Sequence, residues 1–316
     1  MPRNRIIYQS QAVALSGAST SNLPLTINGV QSVTYGIEVG REDVNQFGAL
    51  GAIDRVILEA PTATQEVSFH FPNGTGLGGS GLTALVLEAV VTGSLGTAVD
   101  GLIVALDSQE GGDYDSANET VSLVSGRLSS FSLEASVGAI PTITLGFEGT
   151  SLTYGTETIN IPVSYSNALT SFTGAVLTIN TGQGTSGHMA HPQSATLSFD
   201  LGSEGLQQLG VNNLVYARVP TFPATATLEV EGIAVDRGMS LVLAGIKAKS
   251  SASADTDEGG RANVSLALGG VTFTLVNATL DSVSYSNSIG DNATCSATFG
   301  VSIGGTLSES KLTITS

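Results

Sequence analysis

The chain contains the same pattern twice. Residues 31–48, QSVTYGIEVGREDVNQFG, align without a gap on residues 193–210, QSATLSFDLGSEGLQQLG, at a spacing of 193 − 31 = 162. Identity is kept at Ser32/Ser194, Thr34/Thr196, Gly40/Gly202, Glu42/Glu204, Gln46/Gln208 and Gly48/Gly210, and apolar character at Tyr35/Leu197, Ile37/Phe199, Val39/Leu201, Val44/Leu206 and Phe47/Leu209. A later block, residues 121–138 (VSLVSGRLSSFSLEASVG), matches residues 273–290 (FTLVNATLDSVSYSNSIG) at 273 − 121 = 152, and Phe147/Phe299 keeps that spacing. The difference, 162 − 152 = 10, is a net deletion of ten residues in the second copy's loops. Colinear blocks in one order signal an internal duplication, which obliges each half to form an equivalent structural unit. The expected division is residues 1–152 and 153–316, with the boundary near Gly149 to Gly155.

Within the repeats the apolar residues alternate. Val33, Tyr35, Ile37 and Val39 share one face of an expected strand, as do Ala195, Leu197, Phe199 and Leu201 in the second copy. Val67, Phe69 and Phe71 form another, and Ile143, Leu145 and Phe147 a third. The spacing of 162 carries Val67 and Phe69 onto Glu229 and Glu231, whereas the apolar residues there are Leu228 and Val230. A one-residue slip is therefore expected between the copies at this point, of the kind a bulge or altered loop supplies. Val44, Phe47 and Leu50 recur at helical spacing behind Glu42 and Asp43, and a short amphipathic helix is expected in each copy. The expected fold is all-β with short helices, as two tandem β-sandwiches.

Composition agrees with many short strands joined by turns: 39 Gly, no Trp, 12% charged and 41% hydrophobic residues. Lys+Arg is 11 against Asp+Glu 27, a formal charge of −16, so tight wrapping of DNA is excluded for want of clustered cations. The same sign suits a surface along which DNA slides without sticking. The single Cys295 rules out an internal disulfide, and its alternation with Ala297, Phe299 and Val301 marks it as a core residue. The beginning of the chain, MPRNRIIYQSQAVAL, lacks a signal-peptide core, and the longest apolar stretch, Leu82 to Val91, is broken by Glu88 and too short for a membrane span. A protein made in the cytoplasm, without a membrane partner, is expected.

Catalytic and ligand-binding patterns are weak. There is no G-x-S-x-G string, and the only histidines are His70, His188 and His191. His188 and His191 lack an obvious third metal ligand. Gly74, Gly76 and Gly79 fit G-x-G-x-x-G without the βαβ setting a dinucleotide needs, so they read as a loop. The acids Asp107, Glu110, Asp113, Asp115 and Glu119, with a weaker partner cluster at Asp255, Asp257 and Glu258, match no standard Ca²⁺ loop spacing. No enzyme activity and no cofactor are expected.

The strings MPRNRIIYQS and VQSVTYGIEVGREDVNQFGALGAIDRVILEAPT resemble the major tail or tail tube proteins of siphophages over about the first seventy residues. That resemblance implies a virion structural protein. Its β-sandwiches of tail-tube type would join between subunits into a ring with a continuous inner β-barrel, and stacked rings would form a hollow tube for DNA passage without specific binding. Duplicated subunits of this family imply a trimeric, pseudo-hexameric ring, with terminator, tape measure and distal tail proteins as further partners. Under it the packing or inter-ring candidates are Arg41, Glu42, Val44, Gln46, Phe47, Leu50 and Arg55 in the first copy. In the second they are Glu204, Leu206, Gln208, Leu209 and Arg218. The alternatives are another virion or decoration protein, a surface adhesin or carbohydrate-binding sandwich, and, third, a secreted β-hydrolase.

Overall fold

A computed structural model describes residues 11–16, 25–27, 29–48, 50–51, 53–57, 61–71, 101–106, 119–156, 176–180, 186–188, 192–207, 215–233, 261–289, 292–303 and 311–315. Every element among them is a strand. In chain order the first set is β1 (Gln11–Ser16), β2 (Leu25–Thr26), β3 (Val30–Glu38), β4 (Arg41–Val44), β5 (Asp54–Ile57), β6 (Thr62–His70), β7 (Gly101–Leu106), β8 (Glu119–Val124), β9 (Arg127–Ser136), β10 (Thr142–Gly149) and β11 (Ser151–Thr156). The second is β12 (Val176–Asn180), β13 (Ser186–His188), β14 (Pro192–Asp200), β15 (Ser203–Gln207), β16 (Val215–Pro220), β17 (Ala224–Ile233), β18 (Arg261–Leu268), β19 (Val271–Ser286), β20 (Thr294–Ile303) and β21 (Leu312–Thr315).

Eight strands form one unbroken antiparallel run, β3-β6-β10-β9-β14-β17-β20-β19. Its first four and last four strands have the same order, because β3, β6, β10 and β9 correspond to β14, β17, β20 and the C-terminal half of β19. The registers correspond too. Leu145 lies opposite Phe131 and Ala297 opposite Val283, and a register shift follows at Ser129 in one case and Asp281 in the other, 152 residues apart. Ser125 and Asn277, the two described non-glycine residues at positive φ (51° and 56°), are also 152 apart. Ser125 lies between β8 of the five-stranded sheet and β9 of the run, and Asn277 lies within β19, where pairing passes from β18 and β21 to β20 in one continuous twelve-stranded sheet. Asn277 is suited to that backbone region, which penalises most side chains.

The expected slip is present. Val33 pairs with Val67 and Ala195 with Val230, so an offset of 162 on one strand becomes 230 − 67 = 163 on the next.

A second layer covers this run. In the first set it is a sheet of order β11-β8-β7-β1-β2; in the second the order is β21-β19-β18-β12-β13, reached through the N-terminal half of β19. Gly269 and Gly270, with φ of 58° and 88°, join β18 to β19 as a two-residue loop, the backbone that a right-twisted hairpin needs and glycine supplies without strain. The boundary expected after residue 152 falls inside β11, which pairs with β8 from Ser151 to Thr156 and so goes with the first set.

The two layers enclose one apolar cluster fed by both sets. Phe69, Phe131, Phe147, Phe273 and Phe299 are all at most 1% exposed. Where β9 meets β14, Phe131 stacks on Phe199 at 5.0 Å with the rings 12° apart, and Phe273 of the covering layer approaches it at 6.4 Å. The seam between the sets is therefore as dry as the interior of either. Phe131→Ala is expected to cost about 3–5 kcal/mol, the range for a large aromatic removed from a packed core. A chemical-denaturation midpoint shifted well below that of the wild type checks it.

Candidate functional site

Strand alternation sends every second side chain of the eight-strand run away from the core, and those residues are almost all Ser, Thr, Gly, Asp or Glu. Hydroxyls face one another across strands: Ser198 and Thr227 at 3.1 Å, Ser282 and Thr298 at 3.0 Å, Ser284 and Ser296 at 2.7 Å. Glu38, Glu66, Glu134, Glu148, Asp200, Glu229, Glu231 and Asp281 are acids of this face. Its one cation among the described residues, Arg127, sits opposite Glu148 at the end of β9. Glu66 and Glu229 are repeat equivalents at the spacing of 163, so an acid recurs at the same place along the run. Such a face is polar, low in adhesive side chains and negative.

The second feature is the pair of edges that stand open among the described residues. Inside the run, β14 is flanked by β9 and β17, and Leu197 and Phe199 are 0% and 2% exposed. At the open end their equivalents on β3, Tyr35 and Ile37, are 39% and 48% exposed. The other end shows the same contrast, since Leu133 on β9 is buried whereas its equivalent Tyr285 on β19 is 54% exposed. These apolar positions lack cover because the run stops there.

The third feature corrects an expectation. The described residues between 41 and 57 form no helix: β4 and β5 pair as a hairpin, Arg41 opposite Ile57 and Val44 opposite Asp54. Gly40, Gly48 and Gly51 leave too short a stretch for a helix to nucleate, and Gly48 has a φ of 88° outside the helical region. In the second set β15 and β16 pair equivalently, Ser203 opposite Pro220 and Gly205 opposite Arg218. The Arg55 Nε to Asp43 Oδ1 ion pair, 2.6 Å long, is exposed on both sides and contributes at most about 1 kcal/mol. Val44, Phe47, Leu50, Ile53, Val56 and Ile57 are all exposed on this hairpin, Phe47 and Leu50 fully. A two-stranded ribbon in water is marginal by itself, and this one leaves a contiguous apolar surface uncovered.

Of the residues singled out from sequence, Arg41, Glu42, Val44, Gln46, Phe47, Leu50 and Arg55 lie together on or at the tip of this exposed hairpin. Glu204, Leu206 and Arg218 lie on the β15–β16 hairpin, Leu206 half-buried. Gln208 and Leu209 fall outside the described residues, as do His191, the Gly74–Gly79 loop, and the acidic positions 107–115 and 255–258. Sequence reasoning missed Tyr35, Ile37, Val283 and Tyr285 as edge residues. The signal was available in the repeat, because a pattern that alternates in the interior copy and at the terminus alike must leave one copy without a neighbour.

Cys295 is 1% exposed and lies opposite Tyr285. Burial pushes its thiol above the usual range, and a hydrogen bond with Tyr285 partly offsets that. Burial first, then the hydrogen bond and charge of Cys295, push the Tyr285 hydroxyl up in turn. Among the described residues no group of three His, Cys, Asp or Glu is placed to hold a metal ion. No protein-family model matches the chain, and no curated protein matches it significantly in sequence.

Two outcomes are expected. Phe47→Ser with Leu50→Ser leaves the unfolding midpoint of the isolated chain within about 0.5 kcal/mol of wild type, because both side chains are already in water, while sedimentation shows weakened self-association. Because Cys295 is buried from reagents, and its raised pKa further lowers the thiolate fraction at any given pH, it reacts with a thiol reagent near neutral pH at least about a hundredfold slower in the folded chain than in denaturant.

Proposed function

We propose that this protein is the subunit of a hollow tube, a virion structural protein of the phage tail, whose copies join side by side into rings that stack around a DNA-conducting lumen. One observation carries the reading: the strand order of the eight-strand run is a head-to-tail repeat, so the edge left open at one end is equivalent to the strand already accepted at the internal seam. A head-to-tail contact of this kind generates either a ring or an open filament, and a ring leaves no sheet edge exposed.

The polar face supports a conduit. Serine and threonine hydroxyls give a wettable lining, and the carboxylates repel phosphate, so a duplex would pass along it without the counterion release that makes binding tight. Three copies, each giving eight strands, would close a barrel of 24 strands. At roughly 4.8 Å between strands and a tilt near 40°, such a barrel is roughly 50 Å across its backbone. In this reading each duplicated half is one of six pseudo-equivalent sandwiches, and the exposed β4–β5 hairpin is the contact to the next ring. Terminator, tape measure and distal tail proteins would meet the tube's ends.

Negative-stain electron microscopy of the purified chain at high concentration tests this. Hollow rods built of stacked rings, with three chains per ring by mass, are the expected result. Persistent monomers overturn the tube, and rings of six chains overturn the pseudo-hexamer.

A further inference from the structure

We infer that the β3 edge of one copy of this chain pairs antiparallel with the C-terminal half of β19 of a second copy, in the register that β14 and β9 already use within the chain. The inference rests on the self-assembly part of the tube reading and fixes which residues meet.

The internal seam is the template. Thr196 lies opposite Glu134, Leu197 opposite Leu133 and Phe199 opposite Phe131. Subtracting 162 on the β14 side and adding 152 on the β9 side places Thr34 of one copy opposite Ser286 of the second, Tyr35 opposite Tyr285, and Ile37 opposite Val283. Tyr35, Ile37 and Tyr285 are the half-exposed residues whose internal equivalents are buried, so the contact covers the surface left open on both edges. Two tyrosines meet where two leucines meet inside the chain, an arrangement that keeps an apolar contact and adds ring area. β3 and the end of β19 contain no Pro and no Lys, and the register shift at Asp281 has its equivalent at Ser129 of β9, which pairs with β14 all the same.

Charge favours the same partner. At the internal seam the Ser203 hydroxyl donates to Glu148 Oε2 at 3.1 Å. The repeat puts Arg41 in place of Ser203 and Gly300 in place of Glu148. Gly300 has no side chain, and the Asp281 carboxylate fills the space its Cβ would take, held by the Thr279 hydroxyl at 3.0 Å. Arg41, exposed in the single chain, therefore meets the carboxylate of Asp281 in the second copy. A hydroxyl–carboxylate contact inside the chain becomes a salt bridge between chains.

Paired cysteines test the register. Residues directly opposite on antiparallel strands have Cα atoms about 4.5–5.5 Å apart, within disulfide reach, whereas a four-residue offset adds roughly 13 Å. The Thr34→Cys/Ser286→Cys variant is expected to give, on mild oxidation, a ladder of covalent oligomers beyond the dimer. Either single variant should stay uncross-linked, and Thr34→Cys/Ser282→Cys should yield at most about a tenth as much. Cross-linking of the offset pair equal to that of the aligned pair overturns the register. Dimers from Thr34→Cys alone overturn it too, because they report β3 pairing with itself, and a chain that stays monomeric overturns the joint altogether. The charge swap is a second arm: Arg41→Glu should raise the concentration for assembly about tenfold, and adding Asp281→Arg should restore it to within about twofold. No rescue removes the Arg41–Asp281 contact. Ladders without rods retain the joint and remove the tube, whereas rods without the aligned cross-link retain the tube and remove this register.

Discussion

A β-strand has two hydrogen-bonding edges, and a strand at the end of a sheet satisfies only one of them. That constraint governs this molecule. Its eight-strand run is assembled from two equivalent four-strand blocks set head to tail, so the seam between β9 and β14 shows the same strand positions paired that the terminal edges show unpaired among the described residues. At the seam the backbone groups are paired, Phe131 stacks on Phe199, and Leu133 and Leu197 are dry. At the ends the same positions hold Tyr35, Ile37, Val283 and Tyr285 with solvent beside them. Hydrophobic surface that one block buries against its neighbour stays in contact with water at the two ends.

The two faces of the sheet divide the remaining work. Period-two alternation lets one strand feed a core of Phe, Leu, Val and Ala while presenting Ser, Thr and Glu opposite. The β-branched threonines suit the pleated backbone, and cross-strand hydroxyl pairs replace the salt bridges that a more charged sheet would use. With few charged groups of any kind, the sign of the face is set by a small number of acids, and Glu66 and Glu229 show that the duplication spread that sign along the run.

Much of this was legible in the residues. The duplication, the strand phase, the slip between Val67 and Leu228, and the burial of Cys295 all follow from alternation, which is local and survives in the sequence. The helix expected at Val44, Phe47 and Leu50 failed for an instructive reason. Three apolar residues at a spacing of three satisfy a helical pattern, but they also line a hairpin and its tip, and the glycines at 40, 48 and 51 decide between the two. The boundary expected after residue 152 lies within β11, whose pairing with β8 is a long-range contact that no local pattern encodes.

The sequence by itself determined that there are two equivalent blocks, which side chains of each strand face inward, and that the outward face is hydroxylated and acidic. Only the tertiary structure decided how the blocks join. Leu133 meets Leu197 across 197 − 133 = 64 residues of chain, and no periodicity encodes a partner at that distance. Strand order is fixed by which edges satisfy one another's hydrogen bonds and bury one another's side chains. That is a property of the folded sheet, and it is what turned two similar sequences into a head-to-tail run with an open edge at each end.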